Sequence, residues 1–60
     1  MILPADGFIL LSLINTKLRD EYSSLDELCG EEGLEKEEVC ARLGGLGYRY
    51  CPESNSFKSA

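Results

Sequence analysis

The sequence predicts a mainly α protein, in which a three-helix, helix-turn-helix-like core precedes a short C-terminal β-hairpin, as in a winged helix. Three observations predict this fold: apolar residues recur at helical spacing in three segments, glycines follow the second and third segments, and strand-like alternation begins at residue 48. The 60 residues are expected to form one domain, 1–60. We expect helix one at about 7–21, helix two at about 25–30, helix three at about 35–46 and the hairpin at about 48–58.

Helix one is predicted to begin after Asp6, because an aspartate there can cap the helix by accepting hydrogen bonds from backbone N–H groups. The apolar stripe expected to face the core consists of Phe8, Leu10, Leu11, Ile14, Leu18 and Tyr22. Ile9 and Leu13 lie one turn apart outside this stripe, on the side shared with Lys17. We predict that they form a second apolar strip, which contacts a protein partner or a second copy of the chain. The alternative is that Leu13 borders the core and that Ile9 is an isolated exposed side chain.

Helices two and three are predicted to pack as a helix-turn-helix. Ser24 and Glu27 form a capping box at the start of helix two, and Gly30 and Gly33 are expected to bound its end. The inward stripe of helix three consists of Val39, Cys40, Leu43 and Leu46. A Pro-Glu-Ser-Asn turn then connects two short strands, whose aromatic residues must pack on the helices because an isolated hairpin is only marginally stable.

The charges are unevenly distributed along the chain. The net charge is −5, and residues 20–38 carry nine carboxylates against one lysine. Glu35, Glu37 and Glu38 lie at the start of helix three, the element that enters the major groove in a winged-helix protein. Since these carboxylates repel phosphate, the sequence disfavours binding to nucleic acid and to anionic membranes. The simpler interpretation of the acidity is a solvated helix face with favourable acids at helix N-termini.

A small basic strip keeps nucleic-acid binding open as the alternative function. Arg42, Arg49 and Lys58 follow one another along helix three and the hairpin, and Tyr50 belongs to the same segment. We treat these four residues as a candidate contact surface on the hairpin side.

Asn15 and Arg19 lie one turn apart at the margin of the buried stripe of helix one. They are candidate recognition residues, because amide and guanidinium groups form directional hydrogen bonds with a ligand. The alternative is structural: Asn15 bonds to backbone in the helix-two turn, and Arg19 reaches an acid near Asp20 or Asp26.

The residue types give little support to catalysis or metal binding. The chain has no histidine, and Cys29, Cys40 and Cys51 are too few to complete a tetrahedral metal site. No Ser/His/Asp set and no glycine-rich phosphate loop is present in the sequence, so we expect neither an enzyme nor a cofactor. The odd number of cysteines fits a reduced, cytoplasmic protein, and the apolar run at 8–14 is too short to span a membrane.

Several short motifs also carry a family resemblance. They are Leu3-Pro4, Asn15-Thr16-Lys17-Leu18-Arg19-Asp20, Ser24-Leu25-Asp26 with Leu28-Cys29, and Gly47-Tyr48 with Asn55 and Phe57. Together they resemble a family of very short bacterial proteins catalogued as a domain of unknown function, number 4250 in that series, over almost the whole length. The resemblance implies a free-standing protein and brings no established activity, cofactor or partner. Gly7 departs from the family pattern, which tends to place a proline after the acidic cap.

We therefore predict a small, cytoplasmic, non-catalytic protein-interaction module. Ile9, Leu13 and Lys17 form the predicted contact surface on helix one, through which the chain binds a protein or forms a homodimer. A nucleic-acid-binding, winged-helix-like protein is the disfavoured alternative, and no membrane partner is expected.

Overall fold

The computed structural model describes residues 2–60 and confirms the predicted fold class, since three helices precede a two-stranded antiparallel hairpin. The elements are α1 (Gly7–Asp20), α2 (Leu25–Glu32), α3 (Lys36–Gly44), β1 (Tyr48–Cys51) and β2 (Ser56–Ser59). Within residues 2–60, none of the helices has the length and hydropathy that a membrane span requires.

Side-chain caps explain where α1 and α2 begin. The Asp6 carboxylate accepts hydrogen bonds from two backbone N–H groups in the first turn of α1, at 2.8 and 3.2 Å. Ser24 Oγ accepts from the N–H of Glu27 at 3.1 Å, and the Glu27 carboxylate accepts from the N–H of Ser23 at 2.9 Å. These bonds satisfy backbone donors that a helix start leaves without a partner.

The ends of α2 and α3 differ slightly from the sequence-based expectation. α2 continues past Gly30 and ends at Glu32, where Gly33 caps it with a left-handed φ of 70°. α3 ends at Gly44, so Leu46 lies in the turn that follows rather than in the helix. Two adjacent glycines weaken the helix at this point, and Gly47, with a φ of 87°, redirects the chain into β1.

One hydrophobic core lies between the three helices and the inner face of the hairpin. Its buried members are Leu10, Ile14, Leu18, Leu25, Leu28, Cys29, Val39, Leu43 and Phe57. Cys40 and Leu46 pack against this core as half-buried residues, which confirms the inward stripe predicted for helix three. The assignment of Phe8 to the core stripe of helix one is wrong, because its side chain is 60% exposed.

The contact between Gly7 and Leu46 explains why Phe8 lies outside the core. A Cβ atom on Gly7 would lie only 2.9 Å from Leu46 Cδ1, so Leu46 already fills the inner side of the first turn of α1. Successive side chains on a helix are about 100° apart, and Phe8 therefore projects away from this contact towards solvent.

The hairpin packs one face on the helices and leaves the other exposed. Tyr50 is paired with Phe57, and their ring centroids are 5.6 Å apart on the inner face. Arg49 is paired with Lys58, and both of these side chains are exposed. The packing of the aromatic pair provides the support that so short a hairpin requires.

Candidate interaction surface

The exposed side of α1 carries the two most exposed large apolar side chains within the described helices and strands. Phe8 is 60% exposed and Ile9 is 59% exposed. We define the outer surface of α1 by the side chains that line a shallow hollow there, namely Asp6, Phe8, Ile9, Ser12, Leu13 and Thr16. Leu13 is half-buried, and Ser12 and Thr16 are exposed and uncharged. Apolar atoms therefore dominate a surface that the rest of the chain leaves uncovered.

A groove of about 690 Å³ runs beside this surface, between α1 and the turn of the hairpin. Phe8 and Leu11 line its apolar end, and Arg19 lines its other end. Ser54, at the hairpin turn, contributes to the opposite wall. The groove and the outer surface share Phe8 on their common border, so the two form one continuous region.

Lys17 does not belong to this region, although the sequence grouped it with Ile9 and Leu13. Its Nζ lies 3.3 Å from a carboxylate oxygen of Glu21 and 3.3 Å from one of Glu32, and its side chain is only 19% exposed. The hydrogen bond to Glu21 is the main cause of the raised pKa of Lys17. The lysine therefore connects the C-terminal ends of α1 and α2 instead of extending the apolar strip.

Arg19 forms an ion pair on the surface. Its Nε and Nη2 atoms each donate to an Asp20 carboxylate oxygen at 2.9 Å, and the side chain is 73% exposed. This paired hydrogen bonding lowers the pKa of the Asp20 carboxyl. The guanidinium has five N–H donors, so it retains donors for a further acceptor at the end of the groove.

Asn15 holds the hairpin against α1. Its Oδ1 accepts from the N–H of Phe57 at 2.7 Å, and its Nδ2 donates to the carbonyl of Phe57 at 3.2 Å. The structural alternative correctly predicted that Asn15 bonds to backbone. The predicted partner is wrong, because this backbone belongs to β2 and not to the helix-two turn. The amide has used both of its polar atoms on the hairpin, which leaves it a structural residue.

Tyr50 is likewise engaged inside the molecule. Its hydroxyl donates to Asn55 Oδ1 at 2.6 Å and accepts from the N–H of Leu25 at 3.3 Å. Asn55 Nδ2 in turn donates to the carbonyls of Leu18 and Tyr22, both at 3.0 Å. This chain of bonds connects the end of α1, the start of α2 and the hairpin, and it satisfies backbone groups that helix ends leave open.

The sequence interpretation did not single out Asn55 as a functional or structural site. Asn55 is the one non-glycine residue with positive φ in the described chain, at 51°. Asparagine tolerates this left-handed conformation, and the turn composition around it was a signal for a bend. Two of the three hydrogen bonds of its side chain, to the carbonyls of Leu18 and Tyr22, depend on how α1 packs on the hairpin, which a local pattern does not reveal.

The predicted basic strip is divided in the folded chain. Arg42 donates through Nη2 to the carbonyls of Pro4 and Ala5, at 2.5 and 3.1 Å, and so fastens the segment before α1 to α3. Arg49 and Lys58 lie opposite each other on the hairpin, and neither charged side chain forms an ion pair or hydrogen bond with any residue from 2 to 60. The two hairpin cations are therefore a local pair and do not extend along α3.

The N-terminal turn of α3 is acidic at its surface. Glu35, Glu37 and Glu38 are exposed, and Lys36 Nζ lies 2.9 Å from Asp26 Oδ1. The only cation in this turn is thus already paired, and an approaching phosphate would meet carboxylates.

The thiols and carboxylates do not cluster in the manner of a metal site. Across residues 2–60, no three cysteine, aspartate or glutamate side chains lie close enough to hold a metal ion. Cys29 is buried, and burial raises the pKa of its thiol, which lowers its reactivity. Cys40 and Cys51 are free and half-buried.

Comparison with known proteins gives one match, to a family model. The model described as Domain of unknown function (DUF4250) matches residues 4–57, which confirms the resemblance found in the sequence motifs. No curated protein and no solved structure matches the chain. Because the matched residues include all three helices, β1 and the start of β2, the chain belongs to the domain-of-unknown-function family DUF4250.

Proposed function

We propose that this protein is a small, non-catalytic protein-interaction module that binds its partner through the outer surface of α1. The observation that carries the proposal is the adjacent exposure of Phe8 and Ile9, at 60% and 59%, on a regular helix. Fully burying a side chain of this type contributes about 1.5–3 kcal/mol, so covering the exposed parts of both would contribute on the order of 1–2 kcal/mol each. A protein partner that covers this surface gains that free energy.

Contrast with the other exposed surfaces supports the choice of α1. The exposed start of α3 carries Glu35, Glu37 and Glu38, and the outer face of the hairpin carries two cations. Charged surfaces of this kind are well solvated and gain little from being covered by an apolar partner. The outer surface of α1 has only Asp6 as a charged member, and this carboxylate already accepts two backbone hydrogen bonds.

We propose that the module works in the cytoplasm. An odd number of cysteines, all of them free thiols, suits the reducing cytoplasm of a bacterial cell. We place the interaction there.

A photo-crosslinking amino acid at position 9 tests the proposal in cells that express the chain. Position 41 is the matched control, because Ala41 is also exposed but lies on α3. We expect covalent adducts to protein, either another protein or a second copy of the chain, at position 9 and not at position 41. An equal or absent yield of adducts at the two positions would refute the proposal.

Nucleic-acid binding through the hairpin is a second candidate, favoured by one observation. Arg49 and Lys58 face each other without an anionic partner among the described residues. Like charges directly across a strand pair are unfavourable, and a bound phosphate would relieve the repulsion. A mobility-shift experiment with mixed duplex DNA at low ionic strength tests it, and Arg49→Ala would remove a genuine shift. The absence of a shift at low salt would eliminate this candidate.

A further inference from the structure

We propose that the partner on the outer surface of α1 is a second copy of this chain, packed antiparallel about a twofold axis that passes between Ser12 and Leu13. This inference rests on the proposed function, because it names the occupant of the same surface. A twofold interface requires that the surface be complementary to itself. Three independent properties of α1 meet that requirement.

The first property is the spacing of charge along the helix. An antiparallel pair centred between Ser12 and Leu13 aligns two residues whose numbers add up to 25, so Asp6 of one copy lies at the level of Arg19 of the other. These residues lie about 20 Å apart at 1.5 Å per residue, and both are exposed. The Arg19 guanidinium keeps N–H donors beyond those bonded to Asp20, so it can also donate to the Asp6 carboxylate. A parallel pair would instead place each charge beside its own kind.

The second property is that the Phe8 side chain of one copy matches the groove beside α1 of the other copy. The twofold axis is perpendicular to the two antiparallel helices. The side of α1 that borders the hairpin in one copy therefore lies on the same side of the dimer as the corresponding side of α1 in the other copy. Phe8 and Arg19 lie on the same lateral side of the helix, next to the groove beside the hairpin turn. Phe8 of one copy therefore comes to the level of residue 17 in the other copy, between Thr16 and Arg19, where that groove is open. A guanidinium beside a phenyl ring adds a cation–π attraction.

The third property is the composition of the centre. Ser12 is small and uncharged, so two helices can approach closely where they cross. Leu13 lies on the lateral side opposite Phe8, and the two Leu13 side chains meet across the axis. Ile9 faces Thr16 of the other copy, whose methyl group offers it an apolar contact. The pair thus covers Phe8 and Ile9 of both copies together.

The charge of the whole molecule restricts where two copies can meet. At a net charge of −5, two copies repel one another on average, and the repulsion is greatest at the acidic start of α3. The outer surface of α1 lies on a different helix and carries little charge, since Asp6 is its one charged member. This surface is where self-association meets the least electrostatic opposition.

Sedimentation equilibrium of the purified protein is the first test. We expect a monomer–dimer equilibrium between about 10 µM and 1 mM, the range for a small interface. Ile9→Asp should weaken the dimer at least about tenfold, because it places a carboxylate among apolar side chains. Ile2→Asp is the matched control, since Ile2 is 94% exposed, lies outside the outer surface of α1 and undergoes the same change. Circular dichroism establishes that both variants fold.

Disulfide trapping tests the antiparallel arrangement. Two Ser12→Cys thiols near the axis are close enough to be joined by an added oxidant such as copper–phenanthroline, and we expect roughly tenfold more covalent dimer than in the wild type. Ser23→Cys is the matched control, because Ser23 is also exposed but lies beyond the end of α1. Both variants keep the native thiols, so the wild type measures the background.

Each result decides the matter. A dimer that is weakened by Ile9→Asp alone and trapped through position 12 supports the proposal. A monomer at all concentrations, a dimer that Ile9→Asp leaves unchanged, or no trapping above background overturns it. If the purified chain is monomeric while position 9 forms adducts with a different protein in cells, only this inference fails. If position 9 forms no specific adduct at all, the proposed function fails as well.

Discussion

The two sides of α1 differ in how completely the chain satisfies their side chains. On the hairpin side, Asn15 gives both polar atoms to Phe57, and Asn55 connects the last turn of α1 to the Tyr50 hydroxyl. On the outer side, Phe8 and Ile9 remain more than half exposed. The polar side chains have their hydrogen-bond partners within one chain, whereas the apolar side chains of the outer side remain exposed.

This difference guided our choice of the residues that we propose to bind a partner. Asn15 and Tyr50 were candidate contact residues because polar side chains on a small protein suggest recognition, yet each has internal partners that account for it. Phe8 was expected to be buried because it is apolar, yet it is exposed. We therefore base the proposed contact surface on apolar side chains that the chain leaves exposed and not on polar side chains that it satisfies.

The largest effect should come from breaking the polar side at Asn55. Asn55→Ala removes three hydrogen bonds. It also places an alanine, which has no polar side chain to stabilise a left-handed backbone, at a φ of 51°. We expect a loss of about 3 kcal/mol in the free energy of unfolding, measured by urea denaturation. For a domain of this size, with a total of about 3–9 kcal/mol, this loss is a third of the free energy of unfolding or more.

Asn55→Gly serves as the control for the backbone. Glycine accepts the positive φ without strain but also lacks the three hydrogen bonds, so it should be more stable than Asn55→Ala by about 1 kcal/mol. If Asn55→Gly were as stable as the wild type, the hydrogen bonds would have no net value, and the contrast between the two sides would lose its energetic basis.

The next largest effect compares neighbours on opposite sides of α1. Asn15→Ala leaves the N–H and the carbonyl of Phe57 without their partner and should cost about 2 kcal/mol in the free energy of unfolding. Thr16→Ala, one residue further along and exposed, should change it by less than about 0.5 kcal/mol. Equal losses in a chemical denaturation experiment would contradict the division of α1 into these two sides.

A smaller effect is expected for Ile9→Asp on the stability of a single chain. Ile9 is exposed in the first turn of α1, where a carboxylate interacts favourably with the helix dipole. The free energy of unfolding, measured on dilute monomer, should therefore change by no more than about 0.5 kcal/mol. A loss of several kcal/mol in the free energy of unfolding would mean that Ile9 packs within the chain and is not available to a partner.

The smallest effect concerns pH at the end of α1, where Tyr22 donates to a Glu32 carboxylate oxygen at 2.6 Å. This hydrogen bond is the main cause that raises the pKa of Tyr22 to about 12, from an ordinary 10.0. Because the folded state holds the phenolic proton more tightly, the stability that it provides is complete below pH 10.0 and is lost as the pH rises towards 12. Ultraviolet titration of tyrosinate in Glu32→Gln should show a lower pKa for Tyr22, and an unchanged titration would contradict the assignment.

The same bond has an opposite consequence in acid. The Tyr22 hydroxyl and Lys17 lower the pKa of Glu32 below its ordinary 4.5, so the stability from this carboxylate is present above pH 4.5 and is lost as the pH falls through the lowered value. Glu32→Gln should reduce this part of the acid sensitivity, as measured by thermal unfolding at several pH values.

Much of the fold follows from the sequence because it depends on local signals. Asp6 and Ser24 mark helix starts, Gly33 marks a helix end, and each acts through bonds or angles within a few residues. The tertiary partners of Asn15, Arg42 and Asn55 are 33 to 42 residues away, and no local pattern encodes them. Arg42, for example, lies on α3 but donates to the carbonyls of Pro4 and Ala5 in the segment before α1.

The proposed contact surface could be predicted only in part. Helical periodicity placed Ile9 and Leu13 outside the core stripe, and the structure leaves Ile9 exposed and Leu13 half-buried. Periodicity did not reveal that Lys17, on the same strip, is drawn to Glu32 on α2. It also did not reveal that Leu46 would occupy the space that Phe8 was expected to fill. The ion pair of Lys17 and the position of Leu46 both depend on which element packs against α1.

The close approach of Leu46 to Gly7 couples two positions that are 39 residues apart in the chain. A relative with a proline at position 7 brings ring atoms into the space that Leu46 Cδ1 occupies here, 2.9 Å from the ideal Cβ position. Such a relative needs a smaller residue at position 46 or a leucine in another rotamer. Substitutions at these two positions should therefore occur together during divergence of the family, and an exchange at one position alone should select for compensation at the other.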